Sequence, residues 1–168
     1  MRRLILLRHA KTEPRSEDGD DFSRRLTDRG RNESAVMGCV LEGAGYSPDL
    51  VLLSPATRAR ETWDWMAERF PKAKVELRKP LYDATPEEIE GEMGHETAAA
   101  ETVMVIAHNP GLQELAVELL EDSGGSHSDI ERLSAGFPTA AAAVFAVDEA
   151  GRAHLEALFH ARDYREAS

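Results

Sequence analysis

Three short apolar runs organise this chain, and each ends abruptly in polar residues. Residues 4–7 (LILL) lead into Arg8-His9, residues 50–53 (LVLL) into Ser54-Pro55, and residues 102–107 (TVMVIA) into His108-Asn109-Pro110. Uninterrupted runs of this kind predict strands of a parallel sheet, covered on both faces. Between them the apolar spacing becomes helical. Leu26-Thr27-Asp28-Arg29-Gly30 opens a helix with Thr27 as its N-cap, and Ala35, Val36, Cys39, Val40 and Leu41 form its apolar stripe. Gly43 and Gly45 end it. Pro55 suits the first turn of a second helix, which carries Ala59, Trp63, Met66, Ala67 and Phe70. A weaker strand is predicted over residues 75–77, a short helix over 86–93 and a further helix over 111–120.

The Ser/Gly-rich residues 122–128 read as a mobile loop. Residues 140–147 read as another strand, and the chain from Arg152 onward as an edge strand with a frayed end. This alternation predicts an α/β fold in three layers, with a mostly parallel sheet flanked by helices. At 168 residues, a single domain over residues 1–168 is expected, with no repeat and no interdomain linker.

Composition adds limits. A formal net charge of −11 opposes binding to nucleic acid or to anionic membranes, both of which need basic patches. No apolar run approaches the roughly 20 residues of a membrane span. Arg8, His9 and Lys11 interrupt the short apolar start, and no small-residue cleavage pattern follows, so a signal peptide is rejected. Cys39 is the only cysteine and forms no internal disulfide; its place in the helical stripe predicts a core thiol. A cytoplasmic protein is the expectation, and a monomer, because no long apolar stripe is left over.

Parallel strands bring their carboxyl ends to one edge of the sheet, where ligands of α/β folds sit. Arg8 and His9 end the first strand. Ser54 ends the second, with Arg58 one helical turn beyond, and His108 ends the third. The topology therefore gathers two histidines and two arginines around one small pocket. Arginine matches phosphate oxygens with a planar, permanently charged fork. A neutral imidazole attacks phosphorus, and a second one donates to the equatorial oxygens. The chemistry expected is phosphoryl transfer.

The same residues carry a resemblance. RHAK at residues 8–11, SPATRARET at 54–62 and AHNP at 107–110 are similar to the motifs of the histidine phosphatase superfamily, the phosphoglycerate-mutase-like fold. The small size, RHAK in place of the commoner RHG, the run D-x-x-R-x-L-T-x-R-G at 21–30 and FPTAA at 137–141 resemble its SixA branch of phosphohistidine phosphatases. This resemblance implies that His9 is the nucleophile that becomes phosphohistidine, that Arg8 and Arg58 clamp the phosphate, and that His108 is the second histidine. It implies a mechanism without metal or organic cofactor. The implied substrate is a phosphorylated protein carrying phosphohistidine. A small phosphorylated molecule, hydrolysed by a phosphomonoesterase or phosphoramidase on the same site, and a non-catalytic phosphate-binding module are the alternatives.

Three residues at the margin are weighed against simpler roles. Lys11, two residues past the nucleophile, stands either at the pocket mouth or in solvent. Arg24 either contacts substrate or forms a structural salt bridge with Asp21 or Asp20. Many superfamily members carry a general-acid carboxylate; the corresponding stretch here, LYDATPEEI at 81–89, offers Asp83 as the candidate, with a turn or helix-cap role as the alternative. A phosphoramidate P–N bond leaves readily once its imidazole is protonated, so the lack of a clear acid favours an activated phosphoryl donor. His95, His127, His154 and His160 show no metal-ligand spacing and read as solvated or locally bonded. Trp63 reads as core.

Overall fold

A computed structural model of the chain describes residues 1–94 and 98–164; His95 lies outside the described residues. Six strands, β1 (Arg3–Arg8), β2 (Leu50–Leu53), β3 (Lys74–Leu77), β4 (Thr102–Ala107), β5 (Ala142–Val147) and β6 (Ala153–Phe159), form one sheet in the order β3-β2-β4-β1-β5-β6. The strands from β3 to β1 are mutually parallel, whereas β5 pairs antiparallel with both β1 and β6. The sheet is thus mostly parallel, as its continuous apolar runs require.

Side chains alternate across these strands, and each face has its own core. Leu4, Leu6, Val103 and Val105 pack with Ile89, Leu112, Leu115 and Leu133 on one side. Ile5, Leu7, Met104 and Ile106 pack with Met37, Leu41, Ala59 and Trp63 on the other. The first face is covered by helices α3 (Pro86–Glu92), α4 (Gly111–Asp122) and α5 (His127–Ala135), the second by α1 (Asp28–Gly43) and α2 (Thr57–Asp64). Among the described residues no helix is long and apolar enough to cross a membrane.

Several boundaries follow the expected chemistry. Thr27 caps α1, accepting from the Gly30 amide, and Thr85 and Glu88 form a reciprocal capping box on α3. Others differ. α2 begins at Thr57 with Ala56 as its N-cap, so Pro55 lies before the helix and not in its first turn. The expected mobile loop over 122–128 runs into a helix: Ser126 caps α5, accepting from the Asp129 amide, and Leu133 is buried. Cys39 is exposed, not a core thiol. The buried face of α1 is instead Gly30, Glu33, Ser34, Met37, Gly38 and Leu41, because small residues there let the helix settle close to its neighbours. The larger apolar residues beside them turn to the margin.

Candidate active site

Strand register sets the geometry of the site. Arg8 pairs with Ala107 and Leu53 with Ile106, so the next residues, His9, His108 and Ser54, leave the sheet at the same level. Backbone bonds fix them there: the His9 amide donates to the Ala107 carbonyl at 3.2 Å, and the Ser54 amide to the Ile106 carbonyl at 3.0 Å. The two imidazoles lie with ring centroids 5.1 Å apart. His9, Arg58 and His108 are 6%, 6% and 7% exposed, which is rare for side chains of this kind without a function. The structure therefore brings together Arg8, His9 and His108 from the strand ends and Arg58 from the helix that follows Ser54.

A chain of hydrogen bonds holds His9. Its Nδ1 lies 2.9 Å from the Ala10 carbonyl. A carbonyl only accepts, so Nδ1 carries the proton and Nε2 keeps the free electron pair. The Ala10 amide donates to Thr62 Oγ1 at 3.0 Å, and that hydroxyl donates to the Arg58 carbonyl at 2.7 Å. The nucleophile's loop is thereby tied to α2, the helix that presents Arg58.

His108 is fixed from the other side. Ser54 Oγ lies 2.7 Å from His108 Nε2, and its remaining partner is the Ala56 amide, a donor, at 3.4 Å. The hydroxyl proton therefore goes to Nε2, and His108 holds its own proton on Nδ1. That Nδ1 is buried and without a partner, as are Arg8 Nε and Arg58 Nε. Three N–H donors on the side chains around His9 are thus uncommitted. Buried donors normally find acceptors, and a tetrahedral oxyanion supplies them.

Burial sets the ionisation. The pKa of His9 falls from 6.5 to about 3, mainly through loss of solvent, with His108, Arg58 and Arg8 adding repulsion and the Ala10 carbonyl opposing it. His108 is likewise lowered to about 3, again mainly by burial, with Arg58 the next cause. Both rings are neutral near pH 7.

A second layer completes Arg58. Its Nη1 donates to the Asp21 carbonyl at 2.8 Å and its Nη2 to Asp21 Oδ2 at 3.2 Å. The Tyr82 hydroxyl donates to the same Oδ2 at 2.7 Å, and the Tyr82 ring packs edge-on to His108 with centroids 5.7 Å apart. The Tyr82 bond, followed by Arg58 and Arg24, keeps the Asp21 carboxyl below its usual range. Gly111 lets α4 approach this corner: a Cβ there would lie 2.1 Å from the Ala84 carbonyl oxygen, two residues beyond Tyr82.

The marginal residues fall outside the cluster. Arg24 Nε pairs with Asp21 Oδ1 at 3.0 Å, and its Nη1 bonds Thr12 Oγ1, which is the structural salt bridge of the two alternatives. The Lys11 side chain is exposed, and it is the Lys11 carbonyl that works, accepting from the Thr27 amide. Asp83 is exposed with a φ of 61° and touches none of the four residues; the helix cap in this stretch is Thr85. Ser54, Thr62, Asp21 and Tyr82 are the site residues that sequence reasoning did not single out for a role. Ser54 had a signal in its strand-end position, whereas Tyr82 reaches Asp21 across 61 residues and had none.

Comparison with known proteins gives the family and the fold. Residues 4–122 match the family model described as histidine phosphatase superfamily (branch 1). An uncharacterized protein of Mycobacterium tuberculosis is 34% identical over 142 residues, 84% of this chain and 87% of its own length. Among solved structures, a candidate phosphohistidine phosphatase SixA from Agrobacterium tumefaciens superposes with a TM-score of 0.83 at 26% identity, covering 95% of this chain and 97% of that one. A protein histidine phosphatase SixA complexed with tungstate shares the fold, with a TM-score of 0.81 at 23% identity over 97% of this chain and 99% of its own.

Proposed function

This chain belongs to branch 1 of the histidine phosphatase superfamily, and from that membership and the site geometry we infer that it removes phosphate from protein phosphohistidine through a phosphoenzyme on His9. The observation that carries the reading is the hydrogen bond from His9 Nδ1 to the Ala10 carbonyl. It leaves Nε2 as an unprotonated nucleophile among Arg8, Arg58 and His108.

In the first step His9 Nε2 forms a bond to phosphorus as the P–N bond of the substrate breaks. The departing imidazole takes the electron pair and leaves neutral, having been protonated on its other nitrogen. Arg8, Arg58 and His108 Nδ1–H donate to the equatorial oxygens, where charge gathers in the transition state. Positive charge growing on the His9 ring is stabilised through Nδ1–H by the Ala10 carbonyl. In the second step water bonds to phosphorus, the His9 Nε2–P bond breaks, and the water's proton goes to the released phosphate. No step uses a metal or an organic cofactor.

The state of the local carboxylates supports phosphohistidine over a stable ester. An alkoxide leaving group needs a proton from an acid. Asp83 is exposed and hydrogen-bonds none of the four residues, and Asp21, the carboxylate beside Arg58, is held ionised by Tyr82, Arg58 and Arg24. An imidazole leaving group needs no such donor. The test compares kcat/KM for a phosphohistidine peptide with that for simple phosphomonoesters. At least tenfold preference for the peptide is expected; equal or faster turnover of the esters contradicts the substrate assignment.

A further inference from the structure

Beside the four-residue cluster, the same sheet edge holds a hollow. β6 runs parallel to β1, and β5 starts where β6 ends, with Ala142 opposite Phe159. The residues just before β5 and just after β6 therefore stand next to Arg8. There a hollow of about 470 Å³ is lined by Arg8, Asn109, Arg132, His160 and Arg162, among others. Three arginines line it, on a chain whose net charge is −11.

Little of that positive charge is neutralised. Arg132 pairs with Asp129 at 3.4 Å in an exposed i,i+3 contact, which contributes little. Arg162 has no ion pair among the described residues, and the acids near it are Asp163, whose charge acts on His160, and Glu33, which lines the adjoining hollow with His160 and Arg162. His160 is half-buried, and its Nε2 is closed to solvent without a hydrogen-bond partner. Burial, then Arg162, lower its pKa. Asn109 adds a different group. Its Nδ2 donates to the Phe137 carbonyl at 2.8 Å, which leaves Oδ1 as a buried acceptor with no partner. An anion cannot use that acceptor, whereas a peptide N–H can. Arg8 joins the hollow to the catalytic cluster, since its Nη1 bonds the Phe137 carbonyl while its Nε is uncommitted.

We propose that this hollow is a specificity subsite that takes an acidic side chain close in sequence to the phosphohistidine of a protein substrate. Arg132 and Arg162 hold the carboxylate, and Asn109 Oδ1 accepts from the peptide backbone between it and the phosphorylated residue. The proposal rests on the phosphohistidine reading above. It explains how a strongly acidic enzyme engages an acidic segment of another protein: the rest of its surface repels the segment, and the basic hollow beside the nucleophile sets its register.

The test uses peptides bearing a stable phosphonate analogue of phosphohistidine, flanked by Asp and Glu or by Ala, with binding read by calorimetry. Wild-type protein is expected to bind the acidic-flank peptide about tenfold more tightly. The Arg132→Ala/Arg162→Ala double variant loses that preference while its affinity for the Ala-flank peptide and its hydrolysis of phosphoramidate stay unchanged. Arg162→Glu shifts the preference toward a Lys-flanked peptide. Equal wild-type affinity for both flanks overturns the subsite, as does a preference that survives in the double variant. Arginine-dependent binding of a short alkyl bisphosphate without any flank preference assigns the hollow to small molecules and overturns the protein source. Failure of the underlying reading looks different: neither peptide binds and phosphoramidate is not hydrolysed.

Discussion

Ser54 and His108 meet at 2.7 Å, hydroxyl to Nε2, in a pair closed to solvent. The serine's other partner, the Ala56 amide, is a donor, which leaves His108 Nε2 as the acceptor for the hydroxyl proton; that bond fixes the tautomer of His108 and frees Nδ1–H for the phosphoryl group. Ser54 is thus a positioning residue. Ser54→Ala is expected to lower kcat about tenfold, the scale of weakening one transition-state donor, with a smaller change in KM. Nitrogen NMR of the imidazoles checks the cause: His108 should lose its fixed Nδ1–H tautomer. A purely structural serine would lower stability and leave that spectrum unmoved.

Thr62 couples the nucleophile's loop to the arginine helix. It is fully buried, accepts from the Ala10 amide and donates to the Arg58 carbonyl. Thr62→Val keeps the shape but strands a buried amide, at a cost of about 1–3 kcal/mol. Urea unfolding measures that loss. The Ala10 carbonyl, which orients His9, should lose definition with it, so activity is expected to fall beyond what the unfolded fraction explains.

The two site histidines give a signed pH dependence. Each has a folded-state pKa of about 3 against an ordinary value of 6.5. Between those values the unfolded chain binds protons that the folded chain does not, so stability is full above 6.5 and falls as the pH drops toward 3. Unfolding free energies at pH 7, 5 and 4 should decline in that order, and a His9→Asn/His108→Asn variant should decline less steeply. Proton NMR should show neither ring titrating between pH 8 and 5 in the free protein.

The parallel core of the sheet was legible because buried strands write themselves as unbroken apolar runs, and His9, Ser54 and His108 were legible because each follows such a run. Three features were not. α5 carries only Ile130 and Leu133 as apolar anchors after a Gly-rich turn, although its Ser126 cap with Asp129 is a local signal. The buried side of α1 is built from Gly30, Ser34 and Gly38, so a hydrophobicity reading turned the helix toward Cys39. The Asp21–Tyr82 contact on Arg58 has no local signature at all: it exists only because two distant loops meet at the edge of the sheet.

The central claim is a covalent bond between phosphorus and His9 Nε2. Brief incubation with labelled phosphoramidate, acid-free quenching and peptide mapping test it directly. The account expects acid-labile, base-stable label on the peptide containing His9, turned over on a chase with water and absent from His9→Ala. Hydrolysis that persists in His9→Ala, or label carried by any other residue, contradicts it.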